Sequence, residues 1–276
     1  MQKNEDLDKC KVVHEHGMKD MMQYQLEFGG KTLKYRILSS DFVASDFPFF
    51  DFVGRLLEVG AFIALNGFVH NDLHGNNIVF KEDNKPRLID FGRSYVVSML
   101  DNKLVDELSS VYYAPDLQVT PPEITAHHGV LQGVAFETIL KDLFNQKQPL
   151  LQGERILGMS RTDQLRELKN FWTTSRSVQS RNWVEFYKLF WPAVDSWAIG
   201  VDIMSILRRL LLTKKFTESA EWKQKQGLIK DILRKMLQAS PKKRIDAVEA
   251  LALYDPANDL VTGTAGRNWL DRLEAK

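Results

Sequence analysis

The sequence predicts a mainly α fold with a few short β-strands near its beginning. Three observations predict it. Strand-like runs fall only at 22–28, 78–80 and 87–89. Helical apolar spacing dominates from residue 131 onward. The longest apolar stretch, FWPAVDSWAIGVDIMSIL over 190–207, is apolar nearly all round, which suits a helix at the centre of a large core.

Taken in order, MQYQLEF (22–28) reads as a strand that Gly29-Gly30-Lys31 ends. FGGKT (28–32) finishes like a phosphate-binding P-loop. That pattern requires Gly at position 25, where Gln25 stands, so the reading is a strand end and turn. Apolar residues at 52, 53, 56, 57, 63 and 64 give an amphipathic helix over 52–65, stopped by Asn66-Gly67. The runs 78–80 and 87–89, separated by EDNK, make a hairpin. Residues 93–123 are mixed and contain prolines, and read as a long ordered loop. Helical patterns alternate with polar connections over 131–190. Further helices are expected at 195–212, 221–238 and 246–253, with a peripheral helix or loop from Asp255. His127-His128 has no metal-ligand partner at useful spacing and reads as a solvated loop. Arg208-Arg209 and Lys214-Lys215 read as a solvated helix end. There is no internal repeat and no low-complexity segment.

Composition bounds the function classes. The 276 residues suffice for one large domain or two small ones. A formal net charge of +1 gives no general pull towards nucleic acid or anionic membrane. The single cysteine, Cys10, excludes an internal disulfide framework and fits a reducing compartment. The start, MQKNEDLDKCK, is charged and has no apolar signal-peptide region. Asp195 and Asp202 inside the longest apolar stretch argue against a membrane span. A cytoplasmic protein is the expectation.

Chemistry concentrates in FVHNDLHGNNIVF (68–80) and RLIDFGRSY (87–95). The polar residues run His70, Asp72, His74, Asn77 and Asp90, in the pattern H-x-D-x-x-x-x-N followed by D-F-G. Phosphoryl transfer from a nucleotide needs a carboxylate to orient the attacking hydroxyl and take its proton, and oxygen ligands to hold magnesium on the phosphates. Asp72 fits the first role. Asn77 and Asp90 fit the second, because magnesium is a hard cation that prefers carboxylate and amide oxygens. The hairpin would return Asp90 to the side of Asn77.

These residues resemble the protein kinase family. His70, Asp72 and Asn77 match its catalytic loop; Asp90, Phe91 and Gly92 match the metal-binding motif that opens the activation segment. Pro121-Pro122-Glu123 stands where that segment closes. Asp195-Ser196-Trp197-Ala198-Ile199-Gly200 matches the start of the central helix of the large lobe, and Arg244, in SPKKRIDAVEAL, the late Arg that pairs with the closing Glu. YQLEFGGKTL (24–33) resembles the hinge strand, with Leu26 as gatekeeper and Glu27 and Phe28 as hinge. The resemblance covers about 20–123 and 190–254. It implies a kinase-like large (C-terminal) lobe with a few short strands. It implies ATP and Mg2+ as cofactors, with Leu26, Glu27, Phe28, Val79, Ile89 and Asp90 around the nucleotide and Asn77 and Asp90 on the metal. Asp72, His74 and Asn77 would be catalytic. His70, Phe91, Gly92, Asp195 and a Glu123–Arg244 ion pair would be structural.

Departures from the family pattern qualify the resemblance. Asn71 replaces the Arg that in many kinases pairs with a phosphate on the activation loop, which argues against that mode of activation. His74 replaces the usual Lys, as in aminoglycoside and choline phosphotransferases. Only about 23 residues precede the hinge strand, with neither a Gly-rich loop nor a V-A-I-K lysine, so the small lobe is expected to be largely missing. Nearly seventy residues separate Glu123 from Asp195, many more than kinases use, and carry Trp172, Trp183, Phe186, Tyr187, Phe190 and Trp191. This reads as an inserted helical layer packed on aromatic residues, similar to serine/threonine kinases of large eukaryotic DNA viruses. The expected division is 1–30 small-lobe remnant and hinge, 31–254 large lobe with the insertion at about 124–190, and 255–276 tail. The expected function is transfer of the ATP γ-phosphate to Ser or Thr of a protein substrate. Expected partners are a chain completing the small lobe or virion and assembly proteins, and the expected place is the cytoplasm, host cytoplasm or virion. A pseudokinase or interaction module, and a small-molecule phosphotransferase, are the alternatives.

Overall fold

The computed structural model describes residues 29–39, 46–81 and 85–274. The expected strand at 22–28, with Leu26, Glu27 and Phe28, lies outside them. Strand β1 (Lys31–Thr32) pairs antiparallel with β3 (Ile78–Phe80), and β3 with β4 (Pro86–Leu88). The expected hairpin is therefore present, with its second strand one residue earlier. Gly30 carries the chain into β1 at φ 107°, and a Cβ there would lie 1.9 Å from the Phe80 carbonyl oxygen, so only glycine fits. Thr32 then caps a short helix, α1 (Leu33–Leu38), by accepting the Tyr35 N–H at 3.1 Å.

Helix α2 (Phe49–Leu65) starts a turn before the apolar pattern because Phe49 and Phe50 are buried too. Strand β2 (Phe68–Val69) leaves it and pairs with β5 (Tyr95–Val96). Residues 93–123 are thus more than the loop expected: β5 leads into a 3-10 turn (Val97–Met99) and α3 (Asn102–Ser109). Only Val105 and Leu108 of α3 are buried, too few to make a visible period. The local signal was Asp101, whose carboxylate accepts the Leu104 N–H at 2.8 Å as an N-cap.

The rest is helical. Helix α4 (Pro122–Leu131) is followed by α5 (Phe136–Gln146), α6 (Gln148–Gln152), a π-turn (Gly153–Leu157), α7 (Arg161–Thr174), α8 (Arg176–Gln179) and α9 (Trp183–Phe190). Then come α10 (Pro192–Leu210), α11 (Lys214–Thr217), α12 (Ala220–Met236), α13 (Ala247–Tyr254), α14 (Asp259–Thr262) and α15 (Thr264–Glu274). Helix α10 is buried along most of its length and forms the centre of the core. It packs on α2, α12 and α13. The approach of α2 depends on Gly60, where a Cβ would sit 2.4 Å from Ile199 Cδ1 and 2.9 Å from Ala247 Cβ. Helices α4 to α9 span the aromatic-rich stretch, whose rings pack among them. Phe186 and Tyr187 are buried, and Trp172 stacks on Phe136 at 5.0 Å. No single helix among the described residues is long and apolar enough to cross a membrane.

His127 and His128 correct the solvated-loop expectation: both are buried in α4, whose first eight residues are all buried. The His127 ring lies 4.1 Å from that of Trp183. Burial lowers the pKa of His127 to about 3 and that of His128 to about 4. Both are therefore neutral imidazoles that act as flat packing groups. Arg208 is exposed as expected, whereas Arg209 reaches the Ile37 carbonyl and so joins α10 to α1.

Glu123 and Arg244 form a fully buried bidentate pair, Nη1–Oε1 and Nη2–Oε2 both 2.7 Å. Arg244 also donates to the carbonyls of Gln238 at 2.9 Å, Ala193 at 3.0 Å and Ala239 at 3.4 Å, so the planar fork is spent on five acceptor atoms around it. Removing one partner leaves a buried charge unpaired, at a cost of roughly 3–5 kcal/mol. Arg244→Ala should lower the melting temperature by many degrees, whereas Lys243→Ala, which breaks only an exposed pair with Glu167, should hardly move it. Equal melting temperatures would contradict this. Asp202, buried on α10, has its pKa raised to about 8 by desolvation, opposed by the Gly75 N–H. Between pH ~4 and ~8 the native state holds a proton that the unfolded chain has lost, so this group makes stability fall as pH rises. The slope is at most about 1.4 kcal/mol per pH unit. Urea unfolding of Asp202→Asn should show a flatter profile than wild type across that window; parallel profiles would refute the assignment.

Candidate active site

The site begins where β2 ends. The Asp195 carboxylate, in the first turn of α10, accepts the backbone N–H of His70 at 2.7 Å and that of Asn71 at 3.0 Å. Two adjacent amides aimed at one carboxylate force a sharp turn, and Asn71 takes φ 61°. Asparagine is among the few non-glycine residues that tolerate this region. Its side chain donates to the Arg93 carbonyl at 3.4 Å. Desolvation raises the Asp195 pKa, and the two N–H groups pull it back. The carboxylate acts on the loop rather than capping its own helix.

The turn at Asn71 presents Asp72, which is half-buried. Asn77 is 6 % exposed and donates its amide to the Asp72 carbonyl at 2.9 Å, which fixes the loop across its width. This leaves Oδ1 of Asn77 as the group able to bind a cation. His74 accepts the Asn76 N–H on Nδ1 at 3.2 Å, and its Nε2 lies 3.5 Å from the Asn77 amide nitrogen. That Nε2 stands 3.7 Å from the Asp72 carboxylate. His70 is buried and donates from Nε2 to the Ile89 carbonyl at 3.1 Å. It joins the loop to the strand end that carries Asp90.

The β3–β4 hairpin brings the second half of the site back. Ile78 faces Leu88 in register, and the Ile89 N–H donates to the Asn77 carbonyl at 3.0 Å. Asp90 follows with φ 62°, exposed, its carboxylate accepting the Gly92 N–H at 3.4 Å. Asp72, Asn77 and Asp90 are thus tied into one unit through backbone hydrogen bonds. Phe91 lies over His70, with ring centroids 5.0 Å apart. An exposed carboxylate and an amide oxygen fit magnesium, which takes one or two protein oxygens and completes its shell with water and phosphate. No group of three His, Cys, Asp or Glu suited to a metal occurs among the described residues, so a dedicated protein cage is not on offer. Val79 is buried, its Cγ2 against Gly29, and Ile89 is 39 % exposed beside the site. Leu26, Glu27 and Phe28 lie outside the described residues.

Sequence reasoning missed the partners that hold this arrangement. Ser94 donates to the His70 carbonyl at 3.1 Å. Its only signal was its place two residues after Gly92. A cavity of about 30 Å3, large enough for an ordered water, lies under the loop between Asp72, Arg93, Thr120, His128 and Asp195.

Comparison with protein families matches residues 10–253 to the protein kinase domain. No curated protein matches the chain. The family match spans most of the chain, including residues 70–77, the β3–β4 hairpin, residues 124–190 and Arg244. The chain belongs to the protein kinase domain family.

Proposed function

We propose that the chain moves the γ-phosphoryl group of ATP to Ser or Thr hydroxyls of a protein acceptor. The observation that carries this is the backbone-locked unit of Asp72, Asn77 and Asp90, held in place by Asp195. Asp72 orients the acceptor hydroxyl and takes its proton. His74, whose Nε2 stands beside Asp72, offers a ring N–H where charge gathers on the transferred group. Asn77 Oδ1 and Asp90 hold magnesium, which neutralises phosphate charge when bound. The reading includes a Gly-rich loop and a phosphate-binding Lys supplied from outside residues 1–276, since neither motif occurs within them. The long inserted layer and the Asn71–His74 loop support the likeness to kinases of large DNA viruses.

His74 also favours a second reading, a phosphotransferase for small alcohols or amines. The deep helical layer beside Asp72 weighs against it, because a small acceptor needs no such surface. Two measurements test the proposal. Radiolabelled ATP with a peptide pool should give transfer that falls by about 10²–10⁴-fold in Asp72→Asn. Label equal in wild type and variant would exclude catalysis by this site, and turnover of choline or aminoglycosides but not peptides would select the second reading. Mg-ATP at 100 times its Kd should stabilise the protein by about 2.7 kcal/mol. Asp90→Asn, which tolerates the same φ but lacks the charge, should lose most of that shift. A shift without any transfer would mark a nucleotide-binding, non-catalytic module.

A further inference from the structure

Residues 110–121 lie between α3 and α4 with no helix or strand of their own, yet Leu117, Val119, Thr120 and Pro121 share a cavity wall with Asp72. A segment without a ladder must be positioned from outside. Beyond the bonds to its flanking helices α3 and α4, its outgoing hydrogen bonds, among the described residues, converge on two places. One is α10, where the Trp197 indole donates to the Gln118 carbonyl at 2.9 Å. The other is the stretch 132–148 of the inserted layer. Gln132 accepts the Tyr113 N–H at 3.1 Å and donates to the Val111 carbonyl at 2.8 Å. Asp142 on α5 accepts the Tyr113 hydroxyl at 2.9 Å. The Gln148 N–H donates to the Gln118 side-chain oxygen at 2.7 Å, and Gln118 Nε2 to the Gln146 carbonyl at 3.4 Å.

At the centre of this set sits Lys147, 1 % exposed, between α5 and α6. Its amine donates to the Leu117 carbonyl at 2.6 Å and to the Thr125 hydroxyl at 3.2 Å. It therefore fastens the segment to the first turn of α4, beside the Glu123–Arg244 pair. Burial lowers its pKa to about 7, while Glu123 and Asp116 oppose that shift, and His128 is the other titratable group facing it. A buried lysine is a costly way to fill space. A long amine that reaches two acceptors on two elements is a sound way to fix one element on another, charged or neutral.

We propose that Lys147 is a positioning residue for the protein acceptor: with Gln132, Asp142 and Gln148 it clasps residues 111–118 onto the inserted layer and so sets the wall beside Asp72 against which the acceptor lies. This rests on the kinase reading above, and it assigns to the inserted layer the ordering of that wall without a covalent modification of the segment.

The test combines amide hydrogen exchange with steady-state kinetics. Lys147→Met keeps the length and removes the donors. Exchange across 111–121 should accelerate by about tenfold or more while α10 and α12 keep their protection. The KM for a peptide acceptor should rise by about tenfold, with the KM for ATP and the Mg-ATP thermal shift unchanged. Lys141→Met, at an exposed position on α5, should change none of these. Tyr113→Phe loses only the bond to Asp142 and should move exchange and acceptor KM the same way by a smaller factor, which keeps the test open if Lys147→Met folds poorly. Unchanged exchange in 111–121 in both variants overturns the proposal even if transfer is active, and so does a fall in kcat at constant acceptor KM. Faster exchange in a chain that transfers no phosphate would sink the kinase reading and leave the clasp standing.

Discussion

One buried carboxylate sets the geometry of the site. Asp195 takes the N–H groups of His70 and Asn71, and every later feature of the loop follows from that grip. With both amides pointed into the core, Asn71 must turn through the left-handed region, and the turn delivers Asp72 to the cleft side. The same turn frees the His70 carbonyl to accept Ser94 and lets the His70 ring reach the Ile89 carbonyl. The hairpin end bearing Asp90 is thereby fixed to the loop twice, through His70 and through Asn77. Strain at Asn71 and Asp90, roughly 1–3 kcal/mol each at such positions, is sustained by these surrounding bonds.

How much of this was legible depends on the range of each interaction. The helices at 52–65, 221–238 and 246–253 declared themselves because each buries one face, and that at 195–212 because it is apolar nearly all round; both patterns are local properties. Helix α3 did not, since two buried residues make no period, and its Asp101 cap is a one-residue signal. His127 and His128 misled because a histidine pair looks polar, whereas α4 is enclosed by α9 and the aromatic layer. Asp72, Asn77 and Asp90 were legible as a motif, because spacing alone specifies a loop and a hairpin return. Ser94, Gln132 and Lys147 were not, because their partners lie on segments whose approach only the tertiary packing defines.

Buried polar groups mark where this fold gives up stability for position. Lys147 grips the stretch from Leu117 to Thr125 at both ends, across the irregular residues up to Pro121 and into the first turn of α4, and the Glu123–Arg244 pair holds it between them. An apolar contact there would bury area but leave the backbone free to slide; directed donors fix specific carbonyls. This is the use for which buried ionic groups are best suited, since their net contribution to stability is small once desolvation is counted.

Asp195 and Asp202 extend the same logic along α10. Seven residues apart, they lie nearly two full turns along one face of the helix. That face meets the backbone of residues 70–75: Asp195 accepts two N–H groups at one end, and the Gly75 N–H serves Asp202 at the other. The two sites differ in how fully they are satisfied. Asp195 spends both oxygens, whereas Asp202 leaves Oδ2 buried without a partner among the described residues. An ionised carboxylate with a bare buried oxygen is costly, and a protonated one is much less so. The raised pKa of Asp202, about 8, is the chemical expression of that difference. The helix therefore presents to the loop one acidic side chain held by two donors and, two turns on, a carboxyl group that keeps its proton at neutral pH.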